Sequence, residues 1–251
     1  MTREAHLTGK DLMGMVQLRP QDIGKYAIVP GPRERLDSVV KKMENPVKNF
    51  TFMEYSMFTG TINGTKVTAI NGGRFAADTA ITTEILCSAQ AKMLIRIGSC
   101  GALQSGIKIG DFIVTTGCVR GDGVSPYYVD NNFKTLPDAG LTAKLASIAK
   151  NVAAGAGLNV HEGKVWSTDA ILKESKEVVN KVIDQDAIAV DMVSSAFLTI
   201  AQSYKIPAVS ILAVSDNLIT GQMGFINPDY YMAEGMLIQI ALELIKHMES
   251  K

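Results

Sequence analysis

Short runs rich in Val, Ile, Thr and Phe alternate along the chain with longer segments whose apolar residues recur every three to four positions. The short runs predict strands at Tyr26–Val29, Met57–Ile62, Lys66–Ile70, Met93–Ile97, Phe112–Cys118, Lys164–Ser167, Ile188–Val190 and Ala208–Val214. The longer segments predict helices at Arg33–Met43, Thr79–Gln90, Leu141–Ala154, Ser175–Ile183, Ser194–Ser203 and Met232–Met248. The last carries a stripe of Met236, Leu237, Ile240, Leu244 and Ile245. Asn63-Gly64, between two strand patterns, accepts the positive φ of a tight hairpin and makes those strands antiparallel.

Strand-helix alternation over the whole length predicts an α/β protein with helices on both faces of a central sheet. No repeat, low-complexity tract or linker interrupts it. The expected architecture is one domain over residues 1–251, a three-layer α/β/α arrangement with a mixed sheet.

Composition narrows the function classes. Lys plus Arg equal Asp plus Glu at 25 each, so the charge balance gives no reason to expect a nucleic acid or an anionic membrane as partner. No apolar run approaches the about 18–20 residues that span a bilayer, and the start MTREAHLTGKDL is too polar for a secretory signal. Cys87, Cys100 and Cys118 form no CxxC pair, and with 3 His no metal site is expected. The thiols read as small apolar residues in a reducing, cytoplasmic compartment. His161 and His247 read as surface residues. Tyr127, Tyr128, Tyr230 and Tyr231 fit a pocket lid and solvent-facing loops equally well.

In α/β sheets ligands gather where strands end and helices begin, and three strand ends carry candidate chemistry. Val29-Pro30-Gly31-Pro32 leads into a helix bearing Arg33 and Arg35. Glycine, a helix N-terminus and guanidinium groups suit an anion, although a plain tight turn with solvated arginines explains this segment better when it is taken alone. Ile95-Arg96-Ile97-Gly98-Ser99-Cys100-Gly101 places an arginine inside an apolar strand. Such a charge needs a partner, either an internal carboxylate or a ligand anion, and the adjacent glycines and hydroxyl favour the ligand. Ser215-Asp216 ends the last strand, where Asp216 is either an acid or a turn cap.

In this order and in a chain of this size, these strand ends resemble the nucleoside phosphorylases of the uridine phosphorylase and hexameric purine nucleoside phosphorylase type. Gly110-Asp111-Phe112-Ile113-Val114 and Val119-Arg120-Gly121-Asp122-Gly123-Val124-Ser125 add to the resemblance. It implies phosphorolysis of a nucleoside to a free base and a pentose 1-phosphate. Inorganic phosphate would be the co-substrate, with no cofactor. Gly31, Arg35, Arg96 and Ser99 would hold phosphate. Asp216, with Ser215, would meet the base, Met192 would pack under the sugar, and Ile171 would stand where an aromatic usually stacks on the base. His6 would reach a neighbouring subunit's site in a homo-oligomer built from dimers, expected to be a hexamer.

The chain also departs from that pattern. Asp191-Met192-Val193 lacks the second of two Glu residues that grip the sugar hydroxyls, so Asp191 is a candidate to take over that role. Met53 stands where a neighbour's phosphate-binding Arg is expected. The Gln-x-Arg pair that reads uracil is missing, and Trp166 is the nearest aromatic in sequence to Ile171. Arg74 occupies a position that is usually small or apolar, and it is a candidate for the missing cation. A hydrolytic nucleosidase and a catalytically impaired nucleoside-binding homologue are the alternatives.

Overall fold

The computed structural model describes residues 6–250. Its strands are β1 (Tyr26–Pro30), β2 (Glu44–Phe52), β3 (Tyr55–Ile62), β4 (Thr65–Ile70), β5 (Met93–Ala102), β6 (Phe112–Gly121), β7 (Val160–Thr168), β8 (Ala187–Asp191), β9 (Ala208–Asn217) and β10 (Gln222–Met223). The helices are α1 (Gly9–Met15), α2 (Arg33–Val40), α3 (Ala76–Ser88), α4 (Ala139–Ala154), α5 (Lys176–Ile183), α6 (Ser194–Ser203) and α7 (Pro228–Glu249).

All ten strands join one mixed sheet in the order β10-β9-β6-β7-β8-β5-β1-β4-β3-β2. β9 also pairs in parallel with β5, so β5, β9, β6, β7 and β8 close into a ring. Closure removes the edges those strands would otherwise expose. β1, β4, β3 and β2 extend from β5 as an open wing that ends in the antiparallel meander β4-β3-β2, and β10 pairs with β9. Asn63 and Gly64 both adopt positive φ at the β3–β4 turn, as the hairpin requires.

Alternating side chains divide the core between the two faces of the sheet. Ile28 and Ile95 pack with Leu36 of α2, Leu145 of α4 and Leu237 of α7. Ala27, Val29 and Leu94 pack with Met13 of α1, Leu86 of α3 and Phe197 of α6. The predicted layering of helices, sheet and helices is therefore present.

Two strands and one helix lay outside the sequence expectations. β2 is an edge strand whose first five residues are exposed, and its register shifts around Asn45, Pro46 and Asn49, so it shows no apolar alternation. β10 is a two-residue bridge beside the end of β9. α1 is held by a reciprocal cap between Thr8 and Asp11. α2 stops at Val40, short of the expected Met43. α7 begins at Pro228, because Asn227 caps it and proline suits the first helical position.

Candidate active site

β1, β5, β8 and β9 bring their ends to one cavity of about 380 Å³, a size within the usual range for small-molecule sites. Gly31, Arg35, Arg96, Ser99, Ile171, Asp191, Met192, Ser215 and Asp216, the candidates from the sequence, all line it. So do Arg74 and Val193. His6 lies exposed and outside this cavity. Met53 sits at the tip of the β2–β3 turn, 70% exposed and also outside it.

The anion end is built from β5 and the start of α2. Arg35 is buried against β5, donating to the Ile97 carbonyl at 3.2 Å and the Ser99 hydroxyl at 3.4 Å, and it forms an ion pair with Glu234 of α7. Arg33, two residues earlier, turns away to Asp37 and Ser56. Helical geometry forces that choice, since residues two apart do not share a face.

Arg96 is 3% exposed and its Nη2 donates to Asp191 at 3.2 Å. Its Nε and Nη1 are buried and have no hydrogen-bond partner among the described residues. The internal carboxylate and the ligand were alternatives at the sequence level. Geometry now assigns one donor to the carboxylate and leaves two others unsatisfied in a residue that lines the cavity. Burial lowers the Arg96 pKa from the usual guanidinium range, Asp191 opposes that shift, and the charge of Arg35 adds to it. The two guanidinium groups are thus close enough to repel each other. A Cβ at Gly98 would lie 2.8 Å from Arg96 Nη2, so only glycine leaves that side chain its place.

Asp191 lines the cavity with its carboxylate already engaged. Its carboxylate already accepts from the Ser167 and Ser194 hydroxyls, the Val193 and Ser194 amides, and Arg96. Those amides belong to the unpaired first turn of α6, which lacks a side-chain cap from its own preceding residue. Val193 beside it is 2% exposed, so the stretch of cavity wall formed with Val190 and Met192 is apolar.

At the opposite end, a bulge in the β5–β9 pairing moves the partner of Gly101 from the expected Ser215 to Asp216. Bulges re-aim side chains in this way. Ser215 donates to the Asp216 carboxylate at 2.7 Å or to the Cys100 carbonyl at 3.2 Å. Asn217 anchors the strand end by donating to Gln104 and Ile107 and accepting from Ile219 and Thr220.

The sequence reading missed two lining residues, Glu174 and Phe225. Phe225 supplies an aromatic ring from the loop before α7, far in sequence from Ile171, and Tyr231 holds that loop by donating to the Phe225 carbonyl at 2.7 Å. Trp166 is instead buried under α5 and does not line the cavity. Glu174 follows a single 3-10 turn at Ile171–Lys173. Neither residue belongs to a periodic pattern, so only its chemical type could have drawn attention to it.

Other single residues also find their places. Tyr230 is buried and stacks edge-on with Tyr231 at 5.2 Å, while Tyr127 is solvent-facing. His161 is not a simple surface residue, because its Nε2 meets the buried Asp111 carboxylate at 2.9 Å. Among the described residues no cluster of His, Cys, Asp or Glu could hold a metal ion, and no helix is long and apolar enough to cross a membrane.

Comparison with known proteins agrees with this geometry. Residues 25–242 match the phosphorylase superfamily. A purine nucleoside phosphorylase of the DeoD type from Jannaschia is 30% identical over 89% of this chain and 95% of its own. A guanosine phosphorylase from Halorubrum lacusprofundi is 28% identical over 80% of this chain and 81% of its own. A uridine phosphorylase from Thermococcus kodakarensis is 26% identical over 89% and 84%. In fold, the chain superposes on a Vibrio fischeri uridine phosphorylase with a TM-score of 0.84 at 24% identity, covering 94% of this chain and 99% of that one. The strand ends that shape the cavity all fall within the matched residues, and the chain belongs to the phosphorylase superfamily, the family of nucleoside phosphorylases that its motifs resemble.

Proposed function

We propose that this protein cleaves the N-glycosidic bond of a nucleoside by phosphorolysis, releasing a free base and a pentose 1-phosphate. The observation that carries the reading is Arg96, which lines a cavity with Arg35, Ser99 and Arg74 and has two buried donors without a partner among the described residues. An inorganic oxyanion would satisfy them and offset the repulsion between the guanidinium groups. Held there, phosphate is oriented towards C1′ of a sugar resting on Met192 and Val193, and its negative charge stabilises the cation that develops as the base leaves. Asp216 stands at the base end, and the base lies between Ile171 and Phe225. The reading carries with it a cytoplasmic, dimer-based homo-oligomer, a hexamer, in which an exposed His6 serves a neighbouring cavity.

Base release from inosine, guanosine, adenosine, uridine and their 2′-deoxy analogues, assayed with and without phosphate, tests the proposal. Release that requires phosphate is expected. Equal release without phosphate would overturn it in favour of hydrolysis. No release, with thermal stabilisation by nucleoside, would leave a binding protein.

A further inference from the structure

Glu174 has no counterpart in the motifs that suggested the function, yet it lines the same cavity as Asp216. The 3-10 turn Ile171–Lys173 ends at Glu174, and Ser175 then caps α5, so the backbone on both sides is fixed. The side chain forms no hydrogen bond or ion pair among the described residues, although Lys173 and Lys176 flank it on its own segment. Asp216, Asp191, Arg35, Arg74, Arg96 and Cys100 line the same cavity. The open donors of Arg96, nine-tenths buried in the same cavity, mark it independently as a place where a ligand sits.

We propose that Glu174 is the proton donor to the departing base of a purine nucleoside, acting beside Asp216. This rests on the phosphorolysis reading and adds to it the group that carries the proton and the class of base. As the C1′–N9 bond breaks, its electron pair moves into the purine ring. The proton on the Glu174 carboxyl passes to a ring nitrogen, and an oxygen of hydrogen phosphate bonds to C1′. Glu174 is left as a carboxylate and is recharged through solvent by the proton that phosphate gives up, so the cycle closes without another reactant. Burial, and secondarily the charge of Asp216, push the Glu174 pKa up to about 7. A donor is most effective when its pKa lies near the working pH.

The test compares wild type with Glu174→Gln on inosine and on 7-methylinosine, whose base is already cationic and leaves without a proton. On inosine the substitution should lower kcat by about a hundredfold and remove the loss of activity above about pH 7. On 7-methylinosine it should change kcat by less than about threefold, which also shows that the variant is folded, and the KM for phosphate should stay constant. Equal losses on both substrates, or an unchanged pH profile, would overturn the proposal. Calorimetric titration with hypoxanthine from pH 6 to 8.5 judges Glu174 without turnover. Wild-type affinity should fall as pH rises through about 7, while the variant's should not. A flat wild-type profile rejects the proton role even if phosphorolysis stands. A sloping one that the variant flattens supports the donor role where nucleoside is cleaved; no cleavage of any nucleoside would overturn the phosphorolysis reading and the donor role with it.

Discussion

Arg96 and Asp191 form an ion pair at 3.2 Å with side-chain exposures of only 4% and 1%. The pair is lopsided. Asp191 has four donors besides the arginine, whereas Arg96 has two nitrogens with no partner among the described residues. The carboxylate therefore ties α6 to β5 and β7, and the arginine stays poised towards the cavity.

Removing either partner should have different consequences. Asp191→Ala uncaps α6 and strands a buried guanidinium, so urea unfolding should show a loss of about 3–5 kcal/mol. Arg96→Gln leaves Asp191 its four other donors and should destabilise less. Its expected signature is loss of phosphate-dependent turnover and of the thermal stabilisation that phosphate gives wild type. Retained stabilisation by phosphate in Arg96→Gln would refute the anion role.

Arg74 lines the cavity, and only its backbone amide is tied down, at 3.2 Å from Asp78. Gly73 before it adopts a φ of +73°, and a Cβ there would lie 2.1 Å from the Asp78 Cβ. Met53 supplies no charge at the position where a cation was expected, so Arg74 is the candidate replacement. Arg74→Ala should raise the KM for phosphate roughly tenfold or more, the value of a charge-assisted hydrogen bond, without altering stability by more than about 0.5 kcal/mol. An unchanged KM rejects the role.

Val193 and the saturated Asp191 leave the sugar wall without a free carboxylate. A buried partner for a hydroxyl is worth about 1–3 kcal/mol, and without a free carboxylate to grip the 2′-hydroxyl ribose gains no such advantage over 2′-deoxyribose. The kcat/KM ratio of a ribonucleoside to its 2′-deoxy analogue should therefore lie within about tenfold of unity. A preference of a thousandfold for ribose would mean that another group grips the hydroxyls.

Glu174 also makes stability depend on pH. Its folded pKa, pushed up to about 7, lies above that of an unfolded glutamate. Between those values the folded state binds more protons than the unfolded state, so stability falls as pH rises through that window. Its contribution is complete below the unfolded value and lost above about pH 7. Scanning calorimetry from pH 5 to 8 should show a smaller decline in Tm for Glu174→Gln than for wild type. Parallel declines would place the carboxyl in solvent.

The strand-helix order, the Asn63-Gly64 hairpin and the two arginine-bearing strand ends could be read from the sequence, because each rests on local chemistry. Period-2 burial, positive φ in a two-residue turn and an arginine amid Ile and Leu are properties of a few adjacent residues. Edge strand β2 escaped notice because its residues face solvent at both phases, and α1 because seven residues with two buried positions make no stripe.

Other features were decided only by packing between distant segments. The choice of Arg35 over Arg33, the saturation of Asp191 by α6, and the ring closed by β5 and β9 all depend on contacts across many residues. Phe225 and Glu174 belong to no pattern, and only the folded chain brings them to the cavity lined by Arg96 and Asp216. Sequence by itself determined which side chains had to find partners, since burying a charge or a helix terminus without one is costly. The tertiary structure decided which partners they found and which donors stayed open for a ligand.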